Sequence, residues 1–543
     1  MAPSSRRGIK RPAFAQIASL DPKHNSYKWW VLANVMIGTF MAVLDATVVN
    51  VALPKIMAAF GTNLERIQWV LTAYLLVFGV MLPTSGWVAD HFGYKRTYFL
   101  ALSLFTLGSF LCGLAWNEYS LIFFRIIQAM GAGFLMPVGM AIVTREFPLQ
   151  QRGVALGFWA IAAAASVSLG PLIGGYLVDH VGWNAIFDVN VPVGLFGLFA
   201  TWIIQREYKT EHTRSFDLVG FISMAIFLVA LLLALSEGNA SWNTGGWTSS
   251  FILTCFLISG IGLVVFLCVE FKAKHPLIEI SLFKDFNFAV TNAILFIFGL
   301  GMFGSTFLLP LYLQNSLGYT ALQAGAFFLP VGIIQAFISP VSGLLSDKIN
   351  PKIPGALGVF LLAVSLYLNS FLSLYSEHAQ IMLPLIIRGF AMGMLFTPLS
   401  TLALSSIPKQ KIAQASGLFN VIRQLGGSFG VAMMGAMLTR RTIYHSAIFG
   451  QMIDPQSTTF RQIISHLMRF GQNNLGGSQD VALLRAKALL LFHVSKQAFV
   501  KAVCDDFLIA AVISIAGFFP ILILRTRKLG KAGHAAEKSI VEQ

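Results

Sequence analysis

Fourteen long apolar runs, separated by short polar stretches, organise the whole chain. They fall near residues 31–53, 67–89, 97–116, 121–143, 154–178, 186–204, 216–236, 250–270, 288–313, 322–345, 354–375, 381–403, 415–438 and 505–524. A helix needs roughly 20 residues to cross about 30 Å of hydrocarbon, and most of the runs are close to that length, whereas a membrane-spanning strand needs only about 10. Backbone polar groups in lipid must find partners within the structure, which runs of this length achieve as helices. The pattern therefore predicts an all-α polytopic membrane protein with 14 transmembrane helices.

Composition agrees, since 56% hydrophobic and 11% charged residues leave too little polar surface for a soluble globule of 543 residues. The formal charge of +15 then becomes a topological signal. If the first 30 residues are cytoplasmic and the spans alternate, 25 of the 38 Lys and Arg residues fall on the cytoplasmic side, and the short external loops hold only Lys55 and Arg66. Both termini are expected inside. Charge spread in this way over membrane-edge loops removes the motive for a nucleic-acid reading. The first apolar run, preceded by Trp29 and Trp30, is too long for a cleaved signal peptide. Four scattered cysteines imply neither a disulfide framework nor a metal site. With no phosphate-binding glycine loop, nucleophile elbow or metal-ligand cluster, no enzyme and no cofactor are expected.

The two halves repeat one another. Gly86-Trp87-Val88-Ala89-Asp90 closes the second run and Gly343-Leu344-Leu345-Ser346-Asp347 the tenth, each followed by basic residues. Arg125 in the fourth run matches Arg388 in the twelfth, and each precedes a Gly-rich stretch ending in Pro137 or Pro398. The expected organisation is a basic cytoplasmic tail (1–30), an N-terminal six-helix half (31–204), an inserted helix pair with linkers (205–287), a C-terminal six-helix half (288–524) containing a long external loop (440–503), and a second cytoplasmic tail (525–543). Parallel halves with a site between them near the midplane are a transporter architecture.

Asp45, deep inside the run 31–53, is the leading candidate for a protonatable coupling site, because acids within the hydrocarbon are expensive and kept for function. Arg125 lies at hydrocarbon depth and must pair with an acid, bind backbone carbonyls or line water. Gly170-Pro171 with Gly174-Gly175 removes a backbone donor and permits close helix approach, which suits a bend that rocks between states. Gly86, Asp90, Gly93, Lys95 and Arg96, with Asp347 in the repeat, form a candidate gate in which Asp90 pairs with neighbouring cations at a helix end. Asn50, Gln128, Asp188, Asn190, Arg388, Asn420, Arg423 and Gln424 are the remaining candidate polar residues of a central cavity, with Asp188 the only other acid near the depth of Asp45.

Five segments in order resemble signatures of the major facilitator superfamily, specifically its 14-helix drug:proton antiporter branch and EmrB-type inner-membrane efflux subunits. They are LDATVVNVALP (44–54), GWVADHFGYKR (86–96), RIIQAMGAGF (125–134), GPLIGG (170–175) and ASGLFNVIRQLGGSFG (415–430). His91 stands where the loop motif usually has Arg, Trp183-Asn184-Ala185 replaces the more usual Trp-Arg-Trp, and Asp188 occupies a commonly apolar place. The resemblance implies alternating access and export of hydrophobic or amphipathic small molecules in exchange for protons. It also implies an influence of Arg125 on proton binding, contact with membrane lipid, and a bacterial inner-membrane location. A periplasmic adaptor (membrane fusion) protein and an outer-membrane channel are the implied partners, and the segment 440–503, apolar and basic at roughly helical spacing in its latter half, is where the adaptor would bind. Export of a dedicated metabolite, siderophore or lipid stands as an alternative, as does a non-transporting membrane sensor or scaffold.

Overall fold

The computed structural model describes residues 24, 26–62, 64–208, 216–240, 242–273, 276, 278–405, 407–408, 411–475 and 478–524. Residues 1–23 and 525–543, nearly all of the two predicted tails, lie outside these. The described residues form helices and short connections without a strand. Thirteen of the helices are long and apolar enough to cross a membrane, or fourteen with the bent fifth span.

The N-terminal half contains α1 (Tyr27–Phe60), α2 (Leu64–Phe92), α3 (Tyr94–Gly113), α4 (Glu118–Glu146), α5 (Arg152–His180), and a sixth span broken into α6 (Ala185–Asp188) and α7 (Asn190–Ile204). Then come the inserted pair, α8 (Leu218–Glu237) and α9 (Ser250–Lys272). The C-terminal half contains α10 (Phe286–Asn315), a tenth span broken into α11 (Ala321–Ala326) and α12 (Leu329–Lys348), then α13 (Lys352–Asn369), α14 (His378–Ser405), α15 (Ile412–Gln451), α16 (Thr458–Leu475), α17 (Gln479–Ala516) and α18 (Phe518–Ile523).

Side chains at the starts satisfy backbone donors that an isolated helix leaves open. Asn117 and Ser120 form a capping box on α4, Thr320 and Gln323 one on α11, and Asp217, Ser249 and Asp285 cap α8, α9 and α10. Packing repeats between the halves: α1 on α5, α2 on α4 and α3 on α4 are mirrored by α10 on α15, α12 on α14 and α13 on α14. The halves meet along two seams, α5 against α12 and α2 against α15. The inserted pair lies across the second seam, with Leu232 against Gly79 of α2 and the Asn239 amide donating to the Ala432 carbonyl of α15 (3.0 Å).

The segment expected as a long external loop is instead mostly helix. The thirteenth span does not stop near 438 but continues as α15 to Gln451, and the last span begins at Gln479 rather than 505. Ala, Leu, Arg and Lys carry α17 ahead of its apolar run, whereas the extension of α15, rich in Thr, Ile, Tyr and His, is held against α17 by contacts such as His445 with Asp505; the breaks fall near Asp454-Pro455 and between Leu475 and Gln479. Hydropathy marks the hydrocarbon, not the helix end.

Candidate functional site

Asp45 of α1 and Arg125 of α4 meet in the N-terminal half, fully buried, with Arg125 Nη1 donating to Asp45 Oδ2 at 2.5 Å. Gln128, one turn after Arg125 on the same face of α4, completes a triangle. Its Nε2 donates to Asp45 Oδ1 (2.9 Å) and its Oε1 accepts from Arg125 Nη1 (2.8 Å). Around it Ser109 Oγ of α3 accepts from Gln128 Nε2 and from Asn190 Nδ2, both at 3.1 Å, and donates to the Phe187 carbonyl. Arg125 Nε reaches the Val70 carbonyl, and its guanidinium lies 3.9 Å from the centre of the Tyr74 ring. Five spans, the sixth through both α6 and α7, thus converge on one charge-balanced cluster sealed from water.

The glycines of α5 extend this site. The helix bends by 40° across Val167–Leu172, the stretch holding Gly170-Pro171. A Cβ on Gly170 would lie 2.8 Å from Thr47 Cβ, and one on Gly174 3.1 Å from Val48 Cγ1, both just beyond Asp45 on α1. A Cβ on Gly175 would lie 3.0 Å from Leu322 Cδ1 of α11. The side chain of Pro171 lies outside the described residues.

At the end of the bundle where α2 turns into α3, the two repeated acids behave differently. Asp347 crosses between the halves, and its carboxylate accepts from the backbone N–H groups of Gly153 (2.9 Å) and Val154 (3.0 Å), the exposed donors and positive pole of α5. Gly343 abuts Gly153 backbone to backbone, and a Cβ on Gly86 would lie 2.7 Å from Gln414 Cα of α15. Asp90 engages α4 and α3. Its ion-pair partner is Arg145 of α4 (3.9 Å) rather than the expected neighbours, and it accepts from the Tyr94 hydroxyl (2.9 Å). Lys95 and Arg96 serve elsewhere, their backbone N–H groups donating to Glu207 (3.1 and 3.3 Å). Gly93 turns the chain between α2 and α3 with φ of 96°, a region that favours glycine. Nearby, burial and then Glu146 raise the Tyr208 hydroxyl well above the usual phenol range, so it remains a donor to that carboxylate.

Of the other candidates, Gln128 and Asn190 belong to the Asp45 cluster. Asn50 and Asp188 do not: both are exposed, and Asn50 bonds back to the Ala46 carbonyl of its own helix. Arg388 is fully buried, and it donates to the Met302 carbonyl and the Thr306 hydroxyl. Arg423 and Asn420 lie where the halves face each other, with Arg423 Nη2 donating to Asn420 Oδ1 (3.3 Å) and reaching Met136 Sδ, and Asn420 Nδ2 reaching Met140 Sδ (each 4.0 Å). Phe396 stacks with Trp159 across the same divide. Gln424 is half-buried. Ser109, Tyr74 and Cys112 were not singled out from the sequence, because lone small or aromatic polar residues are common in membrane helices. Asp505 and Asp506 were also missed, since an acid at the edge of a predicted span reads as interfacial.

Two six-helix halves with an inserted pair and a buried acid–base cluster define a membrane transporter architecture. Residues 35–431 match the Major Facilitator Superfamily, and the chain belongs to that family. The multidrug export protein EmrB of Haemophilus influenzae is 30% identical over 492 residues, 90% of this chain and 93% of that protein. The fatty acid resistance protein FarB of Neisseria gonorrhoeae is 31% identical over 499 residues, 91% and 95% of the two chains. Among solved structures, the human organic anion transporter MFSD10 shares the fold with a TM-score of 0.59 at 12% identity, covering 91% of this chain and 99% of its own. The chain is an integral membrane protein.

Proposed function

We propose that this protein exports hydrophobic or amphipathic small molecules in exchange for protons, alternating between states open to opposite sides of the membrane. The observation that carries the reading is the sealed Asp45–Arg125–Gln128 cluster, a titratable acid held between α1 and α4 by a single cation. Similarity over nine-tenths of the chain to a multidrug export protein supports the substrate class. In this reading Asp347 on the α5 terminus, the Gly153–Gly343 and Gly86–Gln414 contacts and the Asp90–Arg145 pair hold one gate closed, and the Gly170 bend transmits motion to α1. Arg388, Asn420 and Arg423 supply polar contacts in an otherwise apolar cavity. The Lys and Arg bias of the loops supports cytoplasmic termini in a bacterial inner membrane, and the projecting parts of α15, α16 and α17 would receive an adaptor protein leading to an outer-membrane channel. One proton moved through 100 mV releases about 2.3 kcal/mol, more than the roughly 1.4 kcal/mol of a tenfold gradient.

Purified protein in vesicles with an imposed pH gradient tests this reading, with efflux of a cationic, a neutral and an anionic fluorescent amphipath followed in parallel. Export that requires the gradient and is matched by proton influx supports antiport. Absence of substrate-dependent proton flux with all three would leave a sensor or scaffold as the better reading.

A further inference from the structure

The only buried acid in the membrane portion of α17 has no partner. Asp506 is 0% exposed, yet neither of its carboxylate oxygens receives a hydrogen bond. The turn around it is well defined. Cys504 Sγ donates to the Leu372 carbonyl at 3.0 Å, which fixes this turn against the end of α13. There Asn369 is also fully buried, with neither its amide nitrogen nor its oxygen partnered. Polar side chains on both helices of the α13–α17 contact are thus left unsatisfied in this conformation, a condition that native interiors rarely tolerate without a reason.

The titratable groups facing this turn are few. From α15, Arg441 and His445 engage the neighbouring Asp505, with His445 Nε2 2.7 Å and Arg441 Nε 3.7 Å from Asp505 Oδ2. From α10, Tyr312 donates its hydroxyl to the Ser373 carbonyl just beyond Leu372. On α17 itself there are Lys501, Cys504 and Asp505. The guanidinium of Arg441 is directed to Asp505, which is partly exposed, and acts on Asp506 only at longer range without bonding to it. An ionised carboxylate without a partner in the interior is strongly disfavoured and takes up a proton instead, and a second negative charge on the adjacent residue opposes ionisation further.

We propose that Asp506 is a second proton-binding site, in the opposite half from Asp45, which carries a proton in this conformation and exchanges it with solvent past the Asp505–His445 pair. Asp505 directly precedes Asp506 and is partly exposed beside His445, which makes this pair the nearest outlet to water. The site stands on burial and missing partners, independently of the export reading.

A hydrophobic carbodiimide, which adds to protonated carboxyls in apolar surroundings, provides the test on the full-length protein in detergent. Mass spectrometry of wild type at pH 7 should find the adduct on Asp506 and not on Asp505, with labelling fading as pH rises. No adduct on Asp506, or preferential labelling of Asp505, overturns the proposal. Suppression of the adduct by sodium but not by choline at equal ionic strength overturns it in favour of a cation site. In vesicles, Asp506→Asn, a neutral mimic of the protonated acid, should remove one of two proton-binding steps from the pH profile of transport, and Asp506→Glu should restore it. A uniform loss of rate at every pH with an unchanged profile would mark Asp506 as structural only.

Discussion

Replacing Asp45 with Asn keeps the shape of the side chain and its acceptor for Gln128 but removes the charge facing Arg125 at 2.5 Å. Both partners are fully buried, so Arg125 is left as an uncompensated interior cation. Breaking a buried pair from one side typically costs about 3–5 kcal/mol, a factor of roughly 150 to 5,000 in the folding equilibrium. Gln128 Oε1 and the Val70 carbonyl still accept from the guanidinium, which places the expectation at the lower end of that range. Adding Arg125→Met removes the orphaned charge, and the double variant should regain most of the loss, with a coupling energy of about 2–3 kcal/mol. Denaturant unfolding in micelles followed by tryptophan fluorescence, on wild type, both single variants and the double, gives that number. Transport separates the second role, because the double variant should be stable yet unable to use a pH gradient. A single Asp45→Asn variant as stable as wild type would refute the packing argument, and one that still exports against a gradient would remove Asp45 from coupling.

Asp347→Asn weakens the acceptor on the α5 terminus, where loss of a helix cap is worth about 1 kcal/mol; spin labels on α5 and α12 should show a roughly fivefold shift towards separation, and an unchanged distance distribution would contradict a gating role. Gly343→Val places a side chain into the Gly153 backbone and should open the same seam. Alkylation of a cysteine placed at the fully buried Ser339 reports it, with faster labelling expected and an unchanged rate counting against the seam.

Much of the architecture was legible because a membrane reduces the problem to apolar length, and an acid or guanidinium in such a run cannot be overlooked. Asp45 and Arg125 were found for that reason, and Gln128 follows at one helical turn. The same logic failed at Asp506, because the apolar run near 505–524 begins in the middle of α17 rather than at its end. The crossing of Asp347 to Gly153 was hidden for a different reason. Its sequence separation of 194 residues leaves no local trace, and only the packing of the two halves brings the acid to the helix terminus. The break at Val189 between α6 and α7 is marked by Pro192, which cannot donate to the Asp188 carbonyl, as Pro330 marks the one before α12.

The length of α15 has a mechanical consequence. Its 40 residues make a rod of about 60 Å at 1.5 Å per residue, and about 30 Å of that suffices for the hydrocarbon. Outside, Arg441 and His445 are joined to Asp505, so α15 and α17 swing as one piece. A tilt of about 15° inside the bilayer becomes a sweep of some 15 Å at the tip of a rod this long. Any repacking at the α2–α15 seam would thereby be amplified into a large stroke in the aqueous space beyond the lipid, where another molecule in contact with the tip would feel it.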